Sequence, residues 1–76
     1  MIDLRAARGK LGTMWGLSRP LHMSEMGRLL RLKGNDPGQS VRDWERRPET
    51  MTGPASVAIE LMLAGGRPEH WENALR

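Results

Sequence analysis

The chain is 76 residues long, carries 12 Lys/Arg against 9 Asp/Glu for a net charge of +3, and contains two histidines and no cysteine. That length supports one domain with one small core, and the absence of cysteine excludes disulfides and thiolate metal sites. His22 and His70 alone make no ligand set, so no metal and no cofactor is expected.

The longest unbroken apolar run is Leu61 to Ala64, and Met1-Ile2-Asp3 has no basic segment followed by an apolar one. A soluble, cytoplasmic protein without a membrane partner is expected. Charge is distributed unevenly: residues 1–47 hold ten Lys/Arg against five Asp/Glu, residues 48–76 two against four. Clustered positive charge in the first part is the footprint of a phosphate-binding face, although it is shared by other basic proteins.

In chain order, Asp3 is placed to cap a first helix running to about Trp15, with Leu4, Ala7, Leu11 and Met14 or Trp15 as its apolar stripe. Arg5, Arg8 and Lys10 lie off that stripe, and Gly16 ends the helix. A second helix is predicted from Met23 to Lys33. His22 is its N-cap, Glu25 reaches back to the cap, and Leu21 and Met26 form a hydrophobic staple. Met26, Leu29, Leu30 and Leu32 supply its buried stripe, and Gly27 marks close approach of a neighbour, expected to be the next helix. Gly34-Asn35 is read as its end.

Asp36 then caps a third helix with Pro37 in the first position and Pro48 as the stop. Val41 and Trp44 share one face and are read as core, while Gln39, Arg42, Asp43 and Arg46 point elsewhere. Thr52-Gly53-Pro54 begins a fourth helix that runs to about Ala64 and stops at Gly65-Gly66. Its residues Val57, Ala58, Ile59, Leu61, Met62 and Leu63 leave only Ser56 and Glu60 as a polar strip. Residues 68–75 form a short fifth helix, with Trp71 and Leu75 expected to pack over the fourth. The predicted fold is an all-α bundle of four to five helices over residues 1–76, with a helix-turn-helix at about 22–47.

Leu21 to Ala64 resembles the helix-turn-helix domain of Cro and XRE-type phage and bacterial repressors. The likeness rests on Gly27, Leu29 and Leu30 of helix two, the Val-x-x-Trp-Glu of Val41, Trp44 and Glu45, and a Gly53-Pro54 entry to a helix with Ala58, Leu61 and Met62. The chain departs from the family in three places. Arg31 to Asp36 is longer than the usual connection, Met23 replaces a phosphate-clamping Gln, and Arg47 stands where a Gly usually leaves helix three. The resemblance implies that helix three enters the major groove.

In that pose Arg42 pairs with guanine, Gln39 with adenine, and Asp43 accepts from cytosine or orients Arg42. Arg19, Arg28, Arg31, Lys33, Ser40 and Arg46 are phosphate contacts, joined by backbone N–H groups at Gly38. Helix four is too apolar for a chain this small to cover, so a homodimer through residues 53–76 is expected, with Ile59, Leu63, Trp71 and Leu75 at the contact; the alternative is a tail that closes the core of its own chain. A two-fold dimer implies an inverted-repeat operator on double-stranded DNA.

No paired carboxylates, activated nucleophile or phosphate-binding glycine loop is present, so neither an enzyme nor a small-molecule substrate is expected. The leading expectation is a sequence-specific transcriptional repressor of phage or mobile-element type, the autorepressors accompanying anti-CRISPR genes included. The alternatives are a protein-interaction module or host-protein inhibitor on the same scaffold, and a non-specific nucleic-acid packaging subunit.

Overall fold

A computed structural model describes residues 3–75; residues 1, 2 and 76 of the predicted domain lie outside the described residues. Among the described residues there are five α-helices, one 3-10 turn and no strand.

The first helix, α1 (Leu4–Met14), begins where Asp3 Oδ1 accepts the Ala6 N–H at 3.1 Å. It buries Leu4, Ala7 and Leu11, and of the two candidates for the end of the stripe, Trp15 packs on the core while Met14 faces outward. The loop after α1 crosses back over it at Gly12, where a Cβ would lie 2.0 Å from the Arg19 carbonyl oxygen.

The second helix, α2 (Met23–Leu29), starts as expected. Glu25 Oε1 accepts the His22 N–H at 2.7 Å, and Leu21 and Met26 are fully buried on either side of the cap. Its end is four residues earlier than the predicted Lys33. Arg31 adopts φ +57°, its N–H bonds to the Arg28 carbonyl at 3.0 Å, and the Leu32 N–H bonds to the Gly27 carbonyl at 3.0 Å. These two bonds are a Schellman closure with arginine in the left-handed position that glycine usually fills, at a cost of about 1 kcal/mol. Gly34-Asn35 therefore lies within the connection, residues 30–37, and does not terminate the helix.

The third helix, α3 (Gly38–Arg46), is entered through Asp36, whose Oδ1 accepts the Gly38 N–H at 3.1 Å while Pro37 already has helical torsions. Gly27 permits this entry: a Cβ there would lie 2.0 Å from the Pro37 carbonyl oxygen. Val41 and Trp44 anchor α3 in the core. Arg47 leaves the helix with a negative φ, at φ −134° and ψ 80°, and leads into the 3-10 turn Pro48–Thr50. The exit thus needs no glycine.

The fourth helix, α4 (Gly53–Leu63), is capped by Thr52 and buries Ala55, Ile59 and Met62, packing against α1. Ile59 is 0% exposed, which corrects its assignment to a dimer contact; the outward apolar residues of α4 are Val57 at 55% and Leu61 at 62%. The last helix, α5 (Trp71–Ala74), docks on α2 and not over α4 as predicted. Arg28 Nε donates to the Ala74 carbonyl at 2.9 Å, His70 Nε2 lies 2.9 Å from the Arg28 carbonyl, and the Trp71 ring meets Trp15 with centroids 5.6 Å apart. No helix among the described residues is long and apolar enough to cross a membrane.

Candidate functional site

The outward side of α3 gathers residues of several predicted roles. Val41 and Trp44 hold the helix from beneath, so Gln39, Arg42, Asp43 and Arg46 stand exposed on its other side. They are not independent. Gln39 Nε2 donates to Asp43 Oδ1 at 3.0 Å, Arg42 Nη1 donates to Gln39 Oε1 at 2.9 Å, and Asp36 Oδ2 lies 3.6 Å from the same Arg42 nitrogen. Asp43 therefore orients Gln39, and Gln39 in turn orients Arg42. Of the two roles expected of Asp43, accepting from cytosine or orienting Arg42, the second is met only through Gln39. Each bond is surface-exposed and exchanges with water at small cost, so the set is pre-arranged without being locked.

An open groove runs along each flank of this ridge. One is lined by Ser40, Asp43, Trp44, Arg46, Arg47 and Thr50. The other, toward α1, includes Arg5, Met23, Arg42, Glu45, Arg46 and Pro48. Arg46 borders both, which places it on the crest.

A partly buried ion pair holds α3 against α1. Arg8 Nε donates to Glu45 Oε2 at 2.7 Å and Nη2 to Oε1 at 3.0 Å, while Nη1 donates to the Leu21 carbonyl at 2.7 Å. Their side chains are only 14% and 12% exposed. One guanidinium thus joins α1, the loop before α2 and α3, a role the sequence reading did not give it. No local signal marks such a pair, because its partners are 37 residues apart.

Three of the predicted phosphate contacts are engaged inside the subunit. Arg19 forms a two-bond pair with Glu25, Nη1 to Oε1 at 2.7 Å and Nη2 to Oε2 at 2.9 Å. Glu25 is 2% exposed, and burial alone pushes its carboxyl up; the Arg19 bonds and the His22 N–H outweigh that and leave it below its ordinary value. The same hydrogen bond to Glu25 raises the Arg19 guanidinium. Arg28 donates to the Ala74 carbonyl and so ties α2 to α5. The Gly38 N–H is taken by Asp36, and Gly38 itself is buried against Met23 and Ser24. Arg19, Arg28 and Gly38 are thus each bonded to groups of their own chain.

Arg31 and Lys33 are exposed on the connection before α3, and Ser40 is half-buried in the groove it lines. Leu63, Trp71 and Leu75 are half-buried against their own subunit's core. Among the described residues no three His, Asp or Glu side chains gather in a way that would hold a metal ion. Comparison of the chain with protein-family models, curated proteins and solved structures returns no match.

Proposed function

We propose that the protein binds double-stranded DNA with α3 in the major groove and acts as a sequence-specific transcriptional repressor. The observation that carries this reading is the Gln39, Arg42 and Asp43 array on a helix anchored by Val41 and Trp44. A guanidinium and a carboxamide held side by side offer the donor and acceptor geometry that guanine and adenine edges require. Arg46 on the crest, with Arg31 and Lys33 beside the entry to α3, supplies phosphate contacts. In this reading α2 and α3 are the two helices of a helix-turn-helix.

The homodimer belongs to the same proposal, with a changed contact. Val57 and Leu61, one helical turn apart on α4, replace the buried Ile59 as its centre. A two-fold pair then meets an inverted repeat with half-sites one turn of DNA apart, roughly 34 Å.

The second reading, a module that binds and inhibits another protein, is favoured by the apolar groove beside Leu61, which Leu29, Ala58, Met62 and Pro68 also line. Selection of bound duplexes from a random pool, followed by binding curves at several salt concentrations, separates the two. The DNA reading expects one enriched motif, strong salt dependence and a wide gap between selected and scrambled duplexes. Recovery of no duplex favours the interaction module, and equal binding of all duplexes a packaging subunit.

A further inference from the structure

Helix α1 brings a third arginine to the flank of α3. Arg5 lies in the same groove as Arg42 and Arg46, over a floor that includes Met23 and Pro48. The Arg8 to Glu45 pair binds the same two helices together and fixes the groove's width. Two carboxylates also line this groove, and of these Glu45 alone is paired with a cation. Glu45 accepts from Arg8 with each oxygen, and Asp3 Oδ1 accepts the Ala6 N–H at the start of α1. Arg5 and Arg46 have no hydrogen-bond or ionic partner among the described residues.

The opposite flank differs. There Arg46 and Arg47 face Asp43, which is bonded only to the neutral amide of Gln39, so its charge offsets one of theirs. The α1 flank has three guanidinium groups against one carboxylate without a cationic partner, Asp3, where the opposite flank has two against Asp43, which makes the α1 flank the stronger anion site of the two. Guanidinium forks match pairs of oxygens on a tetrahedral anion.

We propose that the groove between α1 and α3 seats a phosphodiester of the DNA backbone, with Arg5 and Arg46 donating to its non-bridging oxygens. Arg42 stands at the lip and is left for the base edge. This rests on the reading of α3 as the groove-entering helix, and adds which flank grips the backbone and that α1 takes part.

The test is the salt dependence of binding to a fluorescein-labelled selected duplex and to a scrambled one, for wild type, Arg5→Gln and Lys10→Gln. Lys10 is an exposed α1 cation outside the groove, so it reports the effect of charge alone. Arg5→Gln is expected to lower the slope of log affinity against log salt by about 0.9 on both duplexes, the loss of one phosphate contact. Lys10→Gln is expected to leave the slope near the wild-type value. Equal changes from the two variants overturn the phosphate seat while leaving the α3 reading intact, whereas failure of wild type to bind any duplex overturns both. A second arm uses unaltered protein with duplexes carrying a single uncharged methylphosphonate: one position should weaken wild type yet leave Arg5→Gln unaffected. Identical sensitivity of the two proteins at every position also overturns the seat.

Discussion

Replacement of Gly27 by alanine tests the packing that sets α3 in place. A Cβ at this position lies 2.0 Å from the Pro37 carbonyl oxygen and 2.5 Å from its carbon. Carbon and oxygen approach only to about 3.3 Å even in weak C–H···O contacts, so the start of α3 must retreat by roughly 1.3 Å. The obstruction is backbone and no side-chain rotation relieves it. Forced overpacking of this kind costs about 3 kcal/mol at the upper end, against which alanine returns about 1 kcal/mol of helix propensity. The net loss of about 2 kcal/mol is a large part of the stability of so small a domain. Gly9 is the control. It also lies inside a helix, but a Cβ there meets nothing within 4 Å, so Gly9→Ala should gain up to about 1 kcal/mol. Urea unfolding followed by tryptophan fluorescence gives both differences from the shift in midpoint. A Gly27→Ala protein as stable as wild type would refute the close approach of α2 to Pro37.

The Arg8 to Glu45 pair should behave as a coupled unit: a double-mutant cycle of Arg8→Met and Glu45→Gln is expected to give a coupling of roughly 1.5 to 3 kcal/mol, and near-additivity would remove its bridging role. Glu25 sits below its ordinary value of 4.5, so its folded form favours the ionised carboxylate. Its contribution to stability is complete above 4.5 and fades as the pH falls through the lowered value, a trend Glu25→Gln should lack. A carboxyl NMR titration with a midpoint at or above 4.5 would contradict the Arg19 pairing. If α4 forms the dimer, Leu61→Glu should yield a monomer of unchanged helicity by sedimentation, because the side chain is already exposed. A wild type that sediments as a monomer at high concentration rules that dimer out.

The parts of the fold that depend on near neighbours were readable from the chain. Asp3, Asp36 and Thr52 mark helix starts because a capping side chain reaches a backbone N–H two or three residues on, and Glu25 does so because it reaches three residues back to the His22 N–H. The spacing of Val41 and Trp44 identified the inner face of α3, and Gly27 announced a close neighbour before that neighbour could be named as Pro37. Features set by distant partners were not readable. The apolar pattern of Leu29, Leu30 and Leu32 suggested a longer α2, but the chain turns at Arg31 with a residue that carries no turn signal. Ile59 and Leu61 are alike in composition terms, and only the placement of α1 decides that the first is buried and the second is not.

The same division runs through the candidate site. Gln39, Arg42 and Asp43 sit on one helix at spacings that bring them together, so their exposure followed from the helix alone. Arg19 and Arg28 looked like surface cations because Glu25 and the Ala74 carbonyl, the groups that occupy them, are brought near only by the folded chain. Arg5 was passed over for the converse reason: it joins Arg42 and Arg46 only when α1 lies beside α3.

Base discrimination by Arg42 is the most direct measure of the central claim. Affinities of wild type and Arg42→Ala should be compared on the selected duplex and on its single-base variants. The account predicts a loss of about 1 to 3 kcal/mol on the selected duplex and relaxed preference at one base pair, with the other positions still discriminated. A variant that weakens every duplex by the same factor, with its preferences intact, would contradict the assignment of α3 as the helix that reads sequence.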